Sequence, residues 1–190
     1  VAAGNSFIPL SIGSPGGAIA AITVGSYALR LPLAGTPSSF ESKGPTTSLV
    51  LKPDTSAPGG NIMAPGISEM ILAAGAHGSY QSMAGTSMAT PQAAGALALL
   101  RQVKPDLSRP EVEQLLAISS FPIPKDTIRG YGPIRADTMY RNLGKATLPI
   151  TELQAPLNVI QSAIYAPFTL IPRPENERLK TVRLPAIMGG

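Results

Sequence analysis

Ser87 is the residue of this chain best placed to do chemistry. It stands in "MAGTSMATPQAAGALALLRQ", residues 83–102, between small neighbours and just ahead of an apolar run. A serine hydroxyl in that setting has two uses. It can cap a helix, because its oxygen accepts a bond from an unpaired N–H of the first turn. It can also act as a nucleophile, provided a base removes its proton. The local pattern admits both. Few side chains offer a partner: His77 is the only histidine, and there is no cysteine. A Ser–Lys pair with Lys52 is open in principle, although nothing in the sequence supports it.

The elements that must position Ser87 follow from periodicity and punctuation. Ala89, Ala93, Ala94, Ala96, Leu97, Leu99 and Leu100 are helix formers, apolar over most of the helix circumference. They predict a buried helix that starts at Thr86 or Ser87 and ends near Val103. Pro91 is expected in its first turn, where a missing N–H costs nothing. Ahead of it, "EMILAAG" at 69–75 and "GSYQSMAG" at 78–85 predict a hairpin, and "NIMAPG" at 61–66 a strand stopped by Pro65. "AIAAITVGS" at 18–26 reads as a buried strand and "SLVLK" at 48–52 as a short one; residues 27–48 are turn-rich.

Downstream, "DLSRPEVEQLLAIS" predicts a second helix. Ser108 is its N-cap, Pro110 lies in its first turn, and Glu111 completes an S-x-x-E capping box. "ADTMYRNLG" at 136–144 predicts a short third helix closed by Gly144. Residues 145–190 carry six prolines among extended apolar pieces and read as a C-terminal extension. Uncharged strands followed by helices predict an α/β fold with mostly parallel strands.

Composition narrows the function classes. The chain has 190 residues, enough for one domain with a real core, and only 14% of them are charged. No basic segment precedes the apolar start, so it does not read as a signal peptide. Asn5, Ser6, Ser11 and Ser14 interrupt it, so it does not read as a membrane span. The lack of cysteine removes disulfides and thiolate metal sites. A net charge of +4, scattered and without interleaved aromatics, argues against nucleic acid as a partner. The chain begins with Val rather than Met and is expected to be a fragment or a processed product.

Several short stretches then fall into one order: "VAAGN" at 1–5, "IGSPG" and "ITVGS" within 12–26, "FESKGP" at 40–45, "LKPDTSAPGGNI" at 51–62, "GTSMATP" at 85–91 and "GYGPIRAD" at 130–137. Together they resemble the C-terminal half of the catalytic domain of subtilisin-like serine proteases. The resemblance covers residues 1–144 and leaves 145–190 unmatched. It implies a parallel-sheet, three-layer α/β fold, present here only as its C-terminal part. It implies a serine endopeptidase that works through an acyl-enzyme, with Ser87 as nucleophile and the Asn5 side-chain amide as oxyanion donor. Ala2, Ala3 and Gly4 would form a substrate-pocket wall, and Gly85 and Thr86 would also meet substrate. Polypeptide substrates and secretion are implied as well. No cofactor is required and no metal ligand is assigned, while a structural calcium is compatible with the resemblance.

In the family pattern the catalytic Asp and His precede the oxyanion asparagine. Both are therefore expected on an upstream, N-terminal half of the catalytic domain, which would be a partner of residues 1–144. This chain alone is expected to be inert toward peptides and to expose an apolar strand edge. Asp54 and His77 mimic the family's order but are rejected as triad members. Asp54 belongs to the K-P-D-x-x-A-P-G element, where it is structural or at most near a cation site. His77 lies ten residues before Ser87 and reads as a loop histidine. An α/β-hydrolase would need G-x-S-x-G and a histidine after the serine; Ala89 breaks the first requirement and no histidine meets the second. The alternative is a non-catalytic relative that serves as a binding module or scaffold.

Overall fold

The computed structural model describes residues 1–31, 33–64, 67–120 and 125–145. The expected C-terminal extension, apart from Lys145, lies outside the described residues. At the centre, β1 (Val24–Tyr27) and β2 (Thr55–Pro58) run parallel, with Val24 opposite Thr55 and Tyr27 opposite Pro58. Two parallel bridges widen the layer. Ala2 pairs with Val24 on one side and Pro133 pairs with Ser56 on the other. Four segments far apart in sequence thus lie side by side.

The strand expectations need two corrections. Only the end of 18–26 enters β1, and 48–52 forms no strand. Local hydrogen bonds explain both. Ala18 N–H donates to Pro15 O and Ala21 N–H to Ala18 O, so this backbone is satisfied in turns. Likewise Thr46 N–H donates to Val50 O and Leu49 N–H to Thr46 O, closing 46–50 on itself. The expectation of mostly parallel strands holds only for the central layer. β3 (Asn61–Ala64) pairs antiparallel with β4 (Ile67–Glu69). The expected hairpin forms from β5 (Ile71–Ala74) and β6 (Tyr80–Met83), also antiparallel.

Helix α1 (Thr86–Val103) lies on β1 and β2. Ala89 and Ala93 meet Val24 and Ala57, and such small side chains let helix and sheet approach closely. Beyond them, Leu100 joins Leu107, Val112, Leu115, Leu116, Tyr131 and Met139 in a second cluster, built with α2 (Arg109–Ser119) and α3 (Ala136–Arg141). Ile134 packs against both clusters. The capping box of α2 is present: Ser108 Oγ accepts from Glu111 N, and Glu111 Oε2 accepts from Ser108 N at 2.9 Å.

Two features of α1 differ from expectation. It is buried along one face only, with Leu99 62% and Val103 58% exposed on the other side. Pro91 is its sixth residue, past the first turn. The N–H that Pro91 lacks would have gone to the Ser87 carbonyl. The front of α1 is fixed from outside instead, by bonds from Gly85 and Thr86 to other segments.

A buried ion network braces the layer. Asp54 accepts from Lys52 Nζ at 2.5 Å, Lys125 Nζ at 2.6 Å and Thr23 N at 2.7 Å. Burial alone would raise its carboxyl, but the Lys125 and Lys52 ammoniums overcome this and hold it below the usual carboxylate range. Both oxygens are therefore engaged in structural bonds.

Candidate active site

Strand β6 delivers the chain to Ala84 and Gly85, where Gly85 N–H donates to Gly59 O at 2.8 Å. Helix α1 starts at the next residue. Its first N–H, that of Thr86, donates to Asn5 Oδ1 at 3.0 Å. The Thr86 hydroxyl donates to the same oxygen at 2.9 Å and accepts from Gly4 N at 3.2 Å. Three bonds thus tie the end of the first segment to the start of α1.

This knot orients the Asn5 amide. Its oxygen is turned to Thr86, so its nitrogen faces elsewhere. A Cβ built on Gly85 would lie 3.2 Å from Asn5 Nδ2 and 3.8 Å from Ser87 N. The two nitrogens, with Met88 Sδ 3.6 Å from the same point, therefore surround one position beside Gly85. Ser87 is the second residue of α1, so its N–H has no acceptor within the helix. The positive end of the helix dipole points the same way. A developing negative charge at that position would meet two donors.

The Ser87 side chain is exposed, and it does not cap the helix. The N-cap is Gly85, with no side-chain cap bond. The capping explanation for Ser87 is thereby removed. Gly85 and Thr86, expected to meet substrate, are both buried. Thr86 spends its hydroxyl on Asn5 and Gly4. Of the expected pocket wall, Ala3 is 2% exposed and turned into the protein, whereas Ala2 and Gly4 are half-buried.

Ser42 was not singled out by the sequence, yet it clamps Asn5 from both sides. Its N–H donates to Gly4 O at 2.9 Å, and its Oγ accepts from Ser6 N at 3.0 Å. The sequence signal that covers it is the "FESKGP" stretch at 40–45, which carried the resemblance but assigned Ser42 no role.

Neither rival base reaches the serine. His77 lies in the 3-10 turn Ala76–Gly78 at the tip of the β5–β6 hairpin, exposed, with φ at 55°. Ser87 follows the other end of β6. Strand rise puts roughly 10 Å between the two ends. The Lys52 ammonium is buried on Asp54 and Ala21 O, which closes the Ser–Lys possibility. Among the described residues no cluster of three or more His, Asp or Glu side chains is set to hold a metal ion. No helix among them is long and apolar enough to cross a membrane.

Residues 1–145 match the family model described as the Subtilase family. The chain belongs to that family. As a subtilase it is 42% identical over 125 residues to the serine protease AprX of Bacillus subtilis, covering 61% of this chain and 28% of AprX. It is 38% identical over 92 residues to the subtilisin-like protease SBT3.16 of Arabidopsis thaliana, covering 47% of this chain and 11% of that protein. Among solved structures, a protease from Pseudoalteromonas arctica superposes with a TM-score of 0.59 at 29% identity, covering 77% of this chain and 42% of that one. A lanthipeptide protease gives the same TM-score of 0.59 at 23% identity, covering 75% and 49%, a likeness of fold. The subtilase fold expected from the sequence is therefore present, and the chain spans less than half of each of these relatives.

Proposed function

We propose that this chain carries the nucleophile and oxyanion hole of a serine endopeptidase. The observation that supports this reading is the exposed Ser87 hydroxyl at the start of α1, beside two unspent donors, Ser87 N–H and Asn5 Nδ2. Ser87 Oγ attacks the carbonyl carbon of a peptide bond and passes its proton to a base. The carbonyl oxygen becomes an oxyanion and accepts from both donors. The C–N bond then breaks as the base returns the proton to the leaving amine. Water repeats the sequence on the acyl-enzyme ester and frees Ser87.

Asn5 is the second donor in this scheme. The loss found when the equivalent amide is removed from subtilisin is on the order of 10²–10³ in kcat. Thr86 acts through Asn5 and needs no contact with substrate. Ala2 and Gly4 keep enough exposed surface to meet a substrate side chain. The base and its carboxylate belong, in this proposal, to an upstream half of the catalytic domain that packs on this chain. Secretion and polypeptide substrates follow from the family resemblance, and the chemistry calls for no cofactor.

The test compares peptide hydrolysis by the 190-residue chain with hydrolysis by a longer polypeptide in which the proposed upstream half precedes it. The chain alone is expected to be inert. The longer form is expected to turn over, and Ser87→Ala to abolish this. Turnover by the chain alone, lost in both Ser87→Ala and His77→Ala, would overturn the upstream base. An inactive longer form would replace the peptidase with a non-catalytic scaffold.

A further inference from the structure

Glu41 is a fully buried acid that the scheme above does not use. Its Oε1 accepts from Ser26 N at 3.0 Å, while its Oε2 has no partner. The carboxyl lies flush on the backbone of β1. A Cβ on Gly25 would stand 1.9 Å from Oε1, so only glycine admits it there, and 3.3 Å from Ile128 O. The same segment is bolted to β1 through Ser38, whose N–H donates to Ser26 O at 2.9 Å and whose Oγ meets Ser26 Oγ at 2.6 Å. One residue further along comes Ser42, the clamp on Gly4 and Ser6.

We propose that Glu41 is a positioning residue for the Asn5 amide: as a neutral acid it seats the 38–44 segment against Gly4–Ser6, and on ionising it unseats it. This rests on the reading of Asn5 as oxyanion donor for its functional meaning only. The physical argument is one of solvation. A carboxylate offers about four lone-pair sites, and here a single N–H serves them. A buried charge so poorly served is costly, whereas a neutral carboxyl is tolerated.

The surrounding charges do not rescue it. Asp126, from the turn that packs over β1, opposes ionisation. Lys43, on the same segment, favours it but holds its ammonium over the Phe7 ring, 4.5 Å from the centroid. Tyr27 of β1 is pushed above the ordinary phenol value by burial and stays neutral. Burial, set against the Ser26 N–H, pushes the Glu41 carboxyl up to about 8. Below that pH the acid is neutral and the clamp seated. Above it a negative charge sits beside Asp126, and outward movement of 38–44 relieves it.

The experiment is an NMR titration of the 190-residue chain. It follows the Glu41 carboxyl carbon and the Asn5 side-chain carbonyl carbon from below the ordinary value of 4.5 to above 8. Both resonances are expected to move together with a midpoint near 8. In Glu41→Gln the Asn5 resonance is expected to stay flat over the same range. Titration of Glu41 in the ordinary carboxylate range would overturn the proposal. So would an Asn5 resonance that ignores the Glu41 titration, or one that shifts equally in Glu41→Gln. If the variant fails to fold, the wild-type titration still decides. None of these readouts depends on peptide hydrolysis, so a failure here is distinct from a failure of the peptidase reading.

Discussion

At its first turns α1 sets Ala89 and Ala93 against Val24 and Ala57; near its end it sets Leu100 among Leu107, Val112, Leu115, Leu116, Tyr131 and Met139. Alanines bury little apolar area, so packing at the front end contributes little free energy. What fixes that end is directional: Gly85 N–H on Gly59 O and Thr86 on Asn5. The rear end has the opposite balance, with large side chains in close contact and few polar bonds across them. The catalytic candidates thus sit where angles matter more than area, and the leucine cluster supplies the stability that holds them there.

That contrast can be broken from either end. The largest effect is expected from Leu116→Ala, because Leu116 is 0% exposed in the rear cluster. Urea denaturation should show a loss of about 2–5 kcal/mol in unfolding free energy. Asn5→Ala should do the reverse. In a polypeptide that also supplies the proposed base, kcat should fall on the order of 10²–10³. Its unfolding free energy should drop by about 1–3 kcal/mol, since Asn5 is exposed and loses only its two bonds to Thr86. A large stability loss from Asn5→Ala would dissolve the contrast. The smallest effect is expected at the start of α2, where Ser108→Ala should cost about 1 kcal/mol of thermal or urea stability and leave catalysis untouched.

The elements that depend on neighbours in sequence were the legible ones. The Ser108–Glu111 box needs four consecutive residues, and the β5–β6 hairpin needs two adjacent runs. The length of α1 is written in its own helix formers. Strands in the parallel layer are chosen by partners far away, so "AIAAITVGS" and "SLVLK" misled. Their apolar residues suit a strand, but turn bonds within each stretch satisfy the backbone first. In the site, Ser87 and Asn5 could be named from their motifs. Thr86 could be named but not given its buried, positioning place, because its partners lie at Gly4 and Asn5. Ser42 and Glu41 stood inside the "FESKGP" stretch but were given no role there, since what matters is a backbone contact with segments distant in sequence.

The bond from Thr86 N to Asn5 joins residues separated by 81 positions. Closing a flexible loop of that length costs about 4 kcal/mol in chain entropy before any contact is gained. Local structure such as α1 and the hairpin forms on a much shorter timescale than so distant a pairing. A chain still folding therefore displays its serine well before the amide that would steady an oxyanion beside it. The separation acts as a delay: the Thr86–Asn5 contact closes after α1 and the β5–β6 hairpin, together with other distant pairings such as Ser56 with Pro133.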